Sequence, residues 1–323
     1  MNTRKAFSHL VKRSRWLALL ILLLGANTPA YAQTVVGTIL VGDVPTIVAV
    51  NEKTNRIYVT NRADGTLSVI DGAANTMISS IPVGDFPFGV AVNKKTNHVY
   101  VADGSNTISV IDGETNVIVG TIPVGDTPTG VAVNEKTNQI YVTNIASETV
   151  SVIDGATNSV VDTIAVGNFP FGVAVNEKTN RIYVTNANSD TLSVIDGKTN
   201  TVISSIAVGD LPYNVAVNEK TNRIYVTNAN SDTLSVIDGE TDMMISTILV
   251  GDGPEGVAVN EKNNRIYVAN ELSNTVSVID GVTNLIVATI AVGDGPFGVA
   301  LNEKTNRIYV ANEFSDTVSV VQD

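Results

Sequence analysis

The chain has no cysteine. Disulfides, thiolate metal sites, thiol nucleophiles and cysteine-linked lipids are thereby excluded. Histidine is nearly absent too: among 323 residues there are two, His9 and His98. Histidine-ligated haem and histidine general-base chemistry are left almost without candidates. Tryptophan occurs once, at Trp16, and aromatic residues make up only 5% of the chain. Bases are in deficit, with 20 Lys and Arg against 32 Asp and Glu. Nucleic acid, whose phosphates reward bases, is a poor partner for such a chain. No stretch has convincing helical periodicity, and no apolar run reaches the roughly 20 residues of a membrane span.

The first 32 residues read differently from the rest. Arg4, Lys5, Lys12, Arg13 and Arg15 form a basic start without an acid. Trp16 to Leu24 is a short apolar run, and Ala30-Tyr31-Ala32 has the small-x-small form of a processing site. This order predicts a cleavable secretory signal, residues 1–32, and an exported protein, periplasmic or at the cell surface. Cleavage before Gln33 would remove His9, Trp16 and five bases, leaving 15 bases against 32 acids.

Repetition fills the remainder of the chain. The phrase V-G-[D/N]-x-P recurs with its glycine at Gly42, Gly84, Gly125, Gly167, Gly209, Gly251 and Gly293, a spacing of 41 or 42 residues. A period of this length marks a stacked-repeat architecture. In the unit opening at Gly209, four short strands are expected: Val215–Val217, Arg223–Thr227, Thr233–Ile237 and Met243–Val250. Asn218 to Asn222 and Asp238-Gly239 read as turns, the latter with glycine supplying positive φ.

Four-stranded units at this period predict an all-β fold, a seven-bladed β-propeller spanning 33–323. The ends favour a closed circle over an open solenoid. Thr34 to Ile39 matches a fourth strand without its preceding three, and Thr317 to Val321 a third strand without its fourth. The N-terminal strand is therefore expected to complete the last blade and cover its edge. Tyr58, Tyr100, Tyr141, Tyr183, Tyr225, Tyr267 and Tyr309 hold one mid-strand position in all seven units and are expected in the core between blades.

These residues resemble the YVTN family of β-propeller repeats. Tyr-Val-Thr-Asn stands intact at 58–61, 141–144, 183–186 and 225–228; it becomes Tyr-Val-Ala-Asn at Tyr267 and Tyr309, and Tyr-Val-Ala-Asp at Tyr100. The resemblance covers essentially all of 33–323 and implies the propeller fold. Similar repeats occur in bacterial secreted and periplasmic proteins and in archaeal surface-layer proteins, while related propellers include haem-binding domains and lactonase-like enzymes. The motif is structural, so it brings no catalytic set with it.

A site is expected where the copies disagree. Turns on one face, the bottom, are nearly uniform; loops on the other, the top, vary. The residue after the repeated proline is Thr46, Phe88, Thr129, Phe171, Tyr213, Glu255 or Phe297, and this set is expected to surround the upper mouth of the axis as a ligand-binding surface. The alternative is that these side chains only plug the ring. Phe86, Phe169, Leu211, Leu272 and Phe314 lie in neighbouring top loops and extend the apolar rim. By this assignment the top holds fifteen acids and one base, Arg62. Such a field attracts cations and basic partners.

Asp43, Asp85, Asp126, Asp210, Asp252 and Asp294 form a near-ring that invites a cation, but an aspartate bonding to its own turn is the expected role, and no metal or cofactor is assigned. His98 replaces a strand-start arginine and is expected to be exposed on the bottom. Ser68, Ser109, Ser151, Ser193, Ser235, Ser277 and Ser319 are strand residues without a base partner. The functional expectation is a monomeric, non-enzymatic binding propeller. Its partner at the top would be a basic peptide or protein, a cationic ligand, or a glycan. A hydrolase or lactonase-like enzyme centred on Glu255, with Glu271 nearby, and a surface-layer structural protein are the alternatives.

Overall fold

A computed structural model describes residues 33–323; the expected signal segment, 1–32, lies outside the described residues. Among the described residues there are 28 strands and no helix, arranged as seven four-stranded antiparallel sheets. The first complete blade is β2 (Pro45–Asn51), β3 (Arg56–Asn61), β4 (Thr66–Asp71) and β5 (Thr76–Pro82), in that spatial order. The last combines β26 (Pro296–Asn302), β27 (Arg307–Asn312) and β28 (Thr317–Gln322) with β1 (Thr34–Leu40). Strand β1 pairs antiparallel with β28, so the ring closes as the chain ends imply. The innermost strands are longer than the sequence suggests: that of the Gly209 unit runs Pro212–Asn218.

The core is divided among the blade interfaces. Tyr58, Leu67, Val69 and Ile81 of one blade pack against Val90, Val99, Val101 and Ile111 of the next. Ile39, Tyr309, Val318 and Val320 do the same across the closure, against Val48, Ile57, Val59 and Ile70. All seven repeated tyrosines are fully buried at these seams.

The two recurring motifs are halves of one contact. In the Tyr-Val-Thr-Asn unit ending at Asn228, the asparagine Nδ2 donates to Thr233 Oγ1 and Ser235 Oγ, while its Oδ1 accepts the backbone N–H of Gly209. A Cβ on Gly209 would come within 2.8 Å of the Asn228 side chain, so close approach, not a special φ, requires glycine there. In six copies the repeated serine is thereby a buried acceptor; Ser109, opposite Asp103, instead donates to Val83 O.

The turn at Asp238-Gly239 departs from expectation. Positive φ falls on Asp242, at 58°, and the glycine instead makes room: a Cβ there would meet Asn222 O at 2.8 Å. Asp238 Oδ1 accepts the N–H groups of Glu240 and Thr241, an Asx-type turn. His98 is half-buried, not exposed, with its ring edge-on to Tyr100 and its Nδ1 buried without a partner.

Candidate functional site

Pairing places Pro45, Asn61, Thr66 and Pro82 at one end of their blade, so the fourth-to-first and second-to-third strand loops share the top face. Six of the mouth residues stand second in an innermost strand that opens at the repeated proline, while Phe88 lies two residues before its strand, Val90–Asn93. The Tyr-Val-Thr-Asn threonine of the preceding blade fixes four of them in place. Thr60 Oγ1 donates to Phe88 O at 2.7 Å, Thr143 to Phe171 O at 2.6 Å, Thr185 to Tyr213 O at 2.8 Å and Thr227 to Glu255 O at 2.8 Å. Alanine stands in place of that threonine at Ala102, Ala269 and Ala311.

The seven predicted residues do converge, but as a packed layer. Phe88 meets Phe171 edge-on, with centroids 5.1 Å apart, and Phe297 at 5.6 Å. Tyr213 closes the circuit, 3.9 Å from Phe171 and 5.6 Å from Phe297. Thr46, Thr129, Phe171, Glu255 and Phe297 are buried, whereas Phe88 and Tyr213 are half-buried. Beneath the layer lies a cavity of about 60 Å³ lined in part by Phe88, Thr129 and Phe171.

Glu255 is the one carboxylic acid in the layer. It is 7% exposed, and its Oε2 is buried without a partner. Burial, together with the nearby Glu271 and Glu313 carboxylates, pushes its carboxyl up to about 9. Burial also raises Glu271, and it raises Glu313 with help from Glu271. Tyr213 is driven upward by burial and by the same three carboxylates, with Arg62 opposing. Glu271 and Glu313 occupy equivalent positions in the top loops of the last two blades, where Arg62 stands in the first.

Around this layer runs an outer apolar ring. The residue just before the repeated proline has positive φ in every copy: Val44, Phe86, Thr127, Phe169, Leu211, Gly253 and Gly295. The facing loop compensates. Where the first residue is Gly253 or Gly295, the partner is Leu272 or Phe314; where it is Leu211 or Phe169, the partner is Asn230 or Asn188. Leu272 lies over Gly253 and Phe314 over Gly295, at 2.9 and 2.6 Å from where a Cβ would sit. Phe86, Leu272 and Phe314 nonetheless remain 66%, 71% and 64% exposed.

The aspartate near-ring behaves differently from the sequence expectation. Its members are exposed, and Asp126 and Asp294 accept from Asn106 and Asn274 of neighbouring loops instead of bonding to their own turn. Among the described residues no group of three or more carboxylate, histidine or cysteine side chains is placed to hold a metal ion.

Sequence reasoning missed the bottom of the axis. A cavity of about 510 Å³ opens there, walled by valines such as Val50 and Val175 and rimmed by Glu52, Glu135, Glu177, Glu219, Glu261, Glu303 and Lys94. Collar glutamates accept backbone N–H groups of the preceding blade: Glu261 N–H donates to Glu303 and Glu303 N–H to Glu52, both at 2.7 Å. The available signal was the fixed place of glutamate directly after the innermost strand, which must project the repeated residue onto one axis.

The comparisons agree with this architecture. The YNCE-like beta-propeller family matches residues 91–181. No curated protein sequence matches the chain. Among solved structures, the chain is similar to Kuenenia stuttgartiensis hydrazine synthase, with a TM-score of 0.79 and 18% identity over 87% of this chain and 96% of that one. At that identity the likeness is one of fold. No helix among the described residues is long and apolar enough to cross a membrane. The chain is a seven-bladed β-propeller, consistent with the YVTN-type repeat that its sequence carries.

Proposed function

We propose that the protein is an exported, non-enzymatic binding propeller whose top face takes a basic peptide or a basic patch of another protein. The observation that carries this reading is the outer ring: Phe86, Leu272 and Phe314 stand exposed on the face whose loops hold fifteen acids, of which Asp103 and Glu255 are buried, and one base. Exposed apolar groups rimmed by charge of one sign suit a partner with apolar side chains flanked by Lys or Arg. The packed aromatic layer disfavours a glycan or flat ligand slotted between its rings, because the centroids already lie 3.9 to 5.6 Å apart. Binding over the surface of the mouth is the better fit.

Enzymatic action is the second reading, since a carboxyl of raised pKa beside other acids is the pattern of a general acid. Glu255 lines neither axial cavity, which weighs against it. The test is binding to an array of short peptides differing in charge and apolar content. Peptides with two or more bases beside an aromatic or leucine should be retained, and the triple variant Phe86→Ser, Leu272→Ser, Phe314→Ser should lose them at least tenfold. Equal retention by that variant would reject the site, and ligand-free self-association would favour the structural-component alternative.

A further inference from the structure

We infer that the ring carries one built-in gate, the seam between its second and third blades, which parts locally while the other six seams stay shut. Counting starts from the blade that opens with β2, and each seam has places for two side-chain ties. At the top, the Tyr-Val-Thr-Asn threonine donates to the mouth residue of the next blade, as Thr60 does to Phe88 O. At the bottom, the arginine that starts the second strand reaches the turn of the next blade. Arg56 donates to Gly113 O, Arg181 to Gly239 O and Asp242, Arg223 to Gly281 O and Arg307 to Gly72 O. Arg265 reaches Asp323 in the same manner. Alanine removes the upper tie at Ala102, Ala269 and Ala311, and His98 and Gln139 replace the arginine of the lower one. His98 and Ala102 share one strand, His98–Asp103 of the second blade. Among the described residues, theirs is therefore the one seam without either tie.

The groups left by the missing arginine remain unsatisfied. Asn158 Oδ1, counterpart of the Asn116 Oδ1 that Arg56 reaches, is buried without a partner, and so is His98 Nδ1. Bonds with a charged donor are the stronger kind, so the absent guanidinium weakens this seam most. What polar contact persists is mostly wet. Asn93 Nδ2 donates to Asn138 Oδ1, a tie repeated around the ring, while the bonds of Lys94, Lys95 and Asn106 to the third blade are exposed. Water competes for those. Tyr100, Ile108 and Val110 still pack on Ile140, Val142 and Ile153, but apolar contact is non-directional and holds no register of its own. The second blade is also the one with a short innermost strand, Val90–Asn93, of 4 residues against 7 in the others. Asp103, in the asparagine position, turns instead to Ser105 and Thr107 of its own loop. Finally, the cavity of about 60 Å³ beneath the mouth touches both sides of this seam, Gly89 and Val90 on one and Thr129 and Val131 on the other. Parting the two blades would extend that void between them. The gate is independent of what the top face binds.

A chain without cysteine allows a direct test, because one introduced thiol reports on one seam. The valine at the centre of the third strand is fully buried in every blade; Val69, Val110 and Val152 mark the first three seams. Each of the seven is replaced singly by cysteine in the purified protein. Labelling by an excess of an aromatic disulfide reagent is followed without denaturant and at low urea. A buried thiol reacts only when its surroundings open. Val110→Cys should label about tenfold or more faster than Val69→Cys or Val152→Cys, as the loss of two hydrogen bonds implies. Its rate should depend little on urea, the mark of local opening. Adding Ala102→Thr or His98→Arg should slow it severalfold, and both together should bring it into the range of the other six. Conversely, Thr60→Ala with Arg56→His should hasten Val69→Cys. One common rate with full urea dependence would mean that the ring opens only by global unfolding, and the gate falls. It falls equally if another site labels faster, or if both restorations leave Val110→Cys unchanged. The unaltered protein gives a second reading by hydrogen exchange. Peptides covering 90–102 should exchange faster than their equivalents over 215–227, and equal protection would overturn the gate.

Discussion

Glu255 ties the chemistry of the mouth to the stability of the fold. An unfolded glutamate releases its proton near 4.5, whereas the folded one holds it until about 9. Between those values the native state binds more protons than the unfolded state, so stability falls as pH rises. The contribution is complete below pH 4.5 and gone above 9. Glu271 and Glu313, also raised, add to the same slope. Glu255→Gln keeps the shape of the side chain and removes its titration. Urea unfolding at pH 5, 7 and 9 should show the parent losing on the order of a few kcal/mol more than the variant across that range. Parallel curves would show that Glu255 is ionised at neutral pH. The sequence makes Glu255 visible as an odd member of a sevenfold set, but its burial depends on rings from other blades meeting over the axis. No single repeat contains that information, so Phe88 and Phe297 look alike in sequence and differ in exposure.

At the level of loops and strands, the repeat is a set of paired compromises. Glycine precedes the proline only where the facing loop brings a large apolar side chain, as with Gly295 under Phe314. Leu211 opposite Asn230 is the same arrangement inverted. Gly295→Leu alone should therefore force the introduced isobutyl group against the Phe314 ring and lower stability by about 1–3 kcal/mol, the usual cost of overpacking. Adding Phe314→Asn, which recreates the Leu211/Asn230 pair, should recover most of the loss. A double-mutant cycle from thermal or urea unfolding reads the coupling directly, and additive effects would mean that the two loops do not share the space. Strand identities and the two faces were legible from the motifs, because alternation and turn residues are local. The role of glycine in the Asp-Gly turn was not: the asparagine-type position takes the positive φ, and the glycine only yields space to Asn222 and its equivalents. The glutamate collar escaped for a related reason. Uniformity reads as scaffold along the sequence, yet a closed ring turns one repeated residue into a rim around a single opening.

For the molecule as a whole, everything depends on closing the circle. Repeat arrays gain stability from neighbouring interfaces, and a ring adds one more interface than the open array of the same units. Here the added seam is supplied by the first described strand. Strand β1 pairs with β28 from Thr34↔Gln322 to Leu40↔Thr317, and Ile39 joins the core that links the last blade to the first. Gln33 Nε2 donates to Asp323 Oδ1, while Asp323 also accepts from Asn260, Asn263 and Arg265 of the preceding blade. The start of the propeller, its end and the blade before the last are thus held at one point. Removing Gln33–Leu40 would bare the edge of β28 and the Val318 and Val320 side chains behind it. An unpaired, apolar edge recruits another strand. The shortened protein should lose at least about 3 kcal/mol in urea unfolding, in line with deletion of a buried isoleucine and its strand. It should also elute as a concentration-dependent dimer or larger species. Restoring a peptide of sequence Gln33–Leu40 in excess should return the monomer and much of the lost stability, because the edge needs occupancy and not covalent continuity. A shortened chain that stays monomeric with unchanged stability would locate the closure in the inner strands instead, and the pairing of β1 with β28 would then be dispensable to the ring.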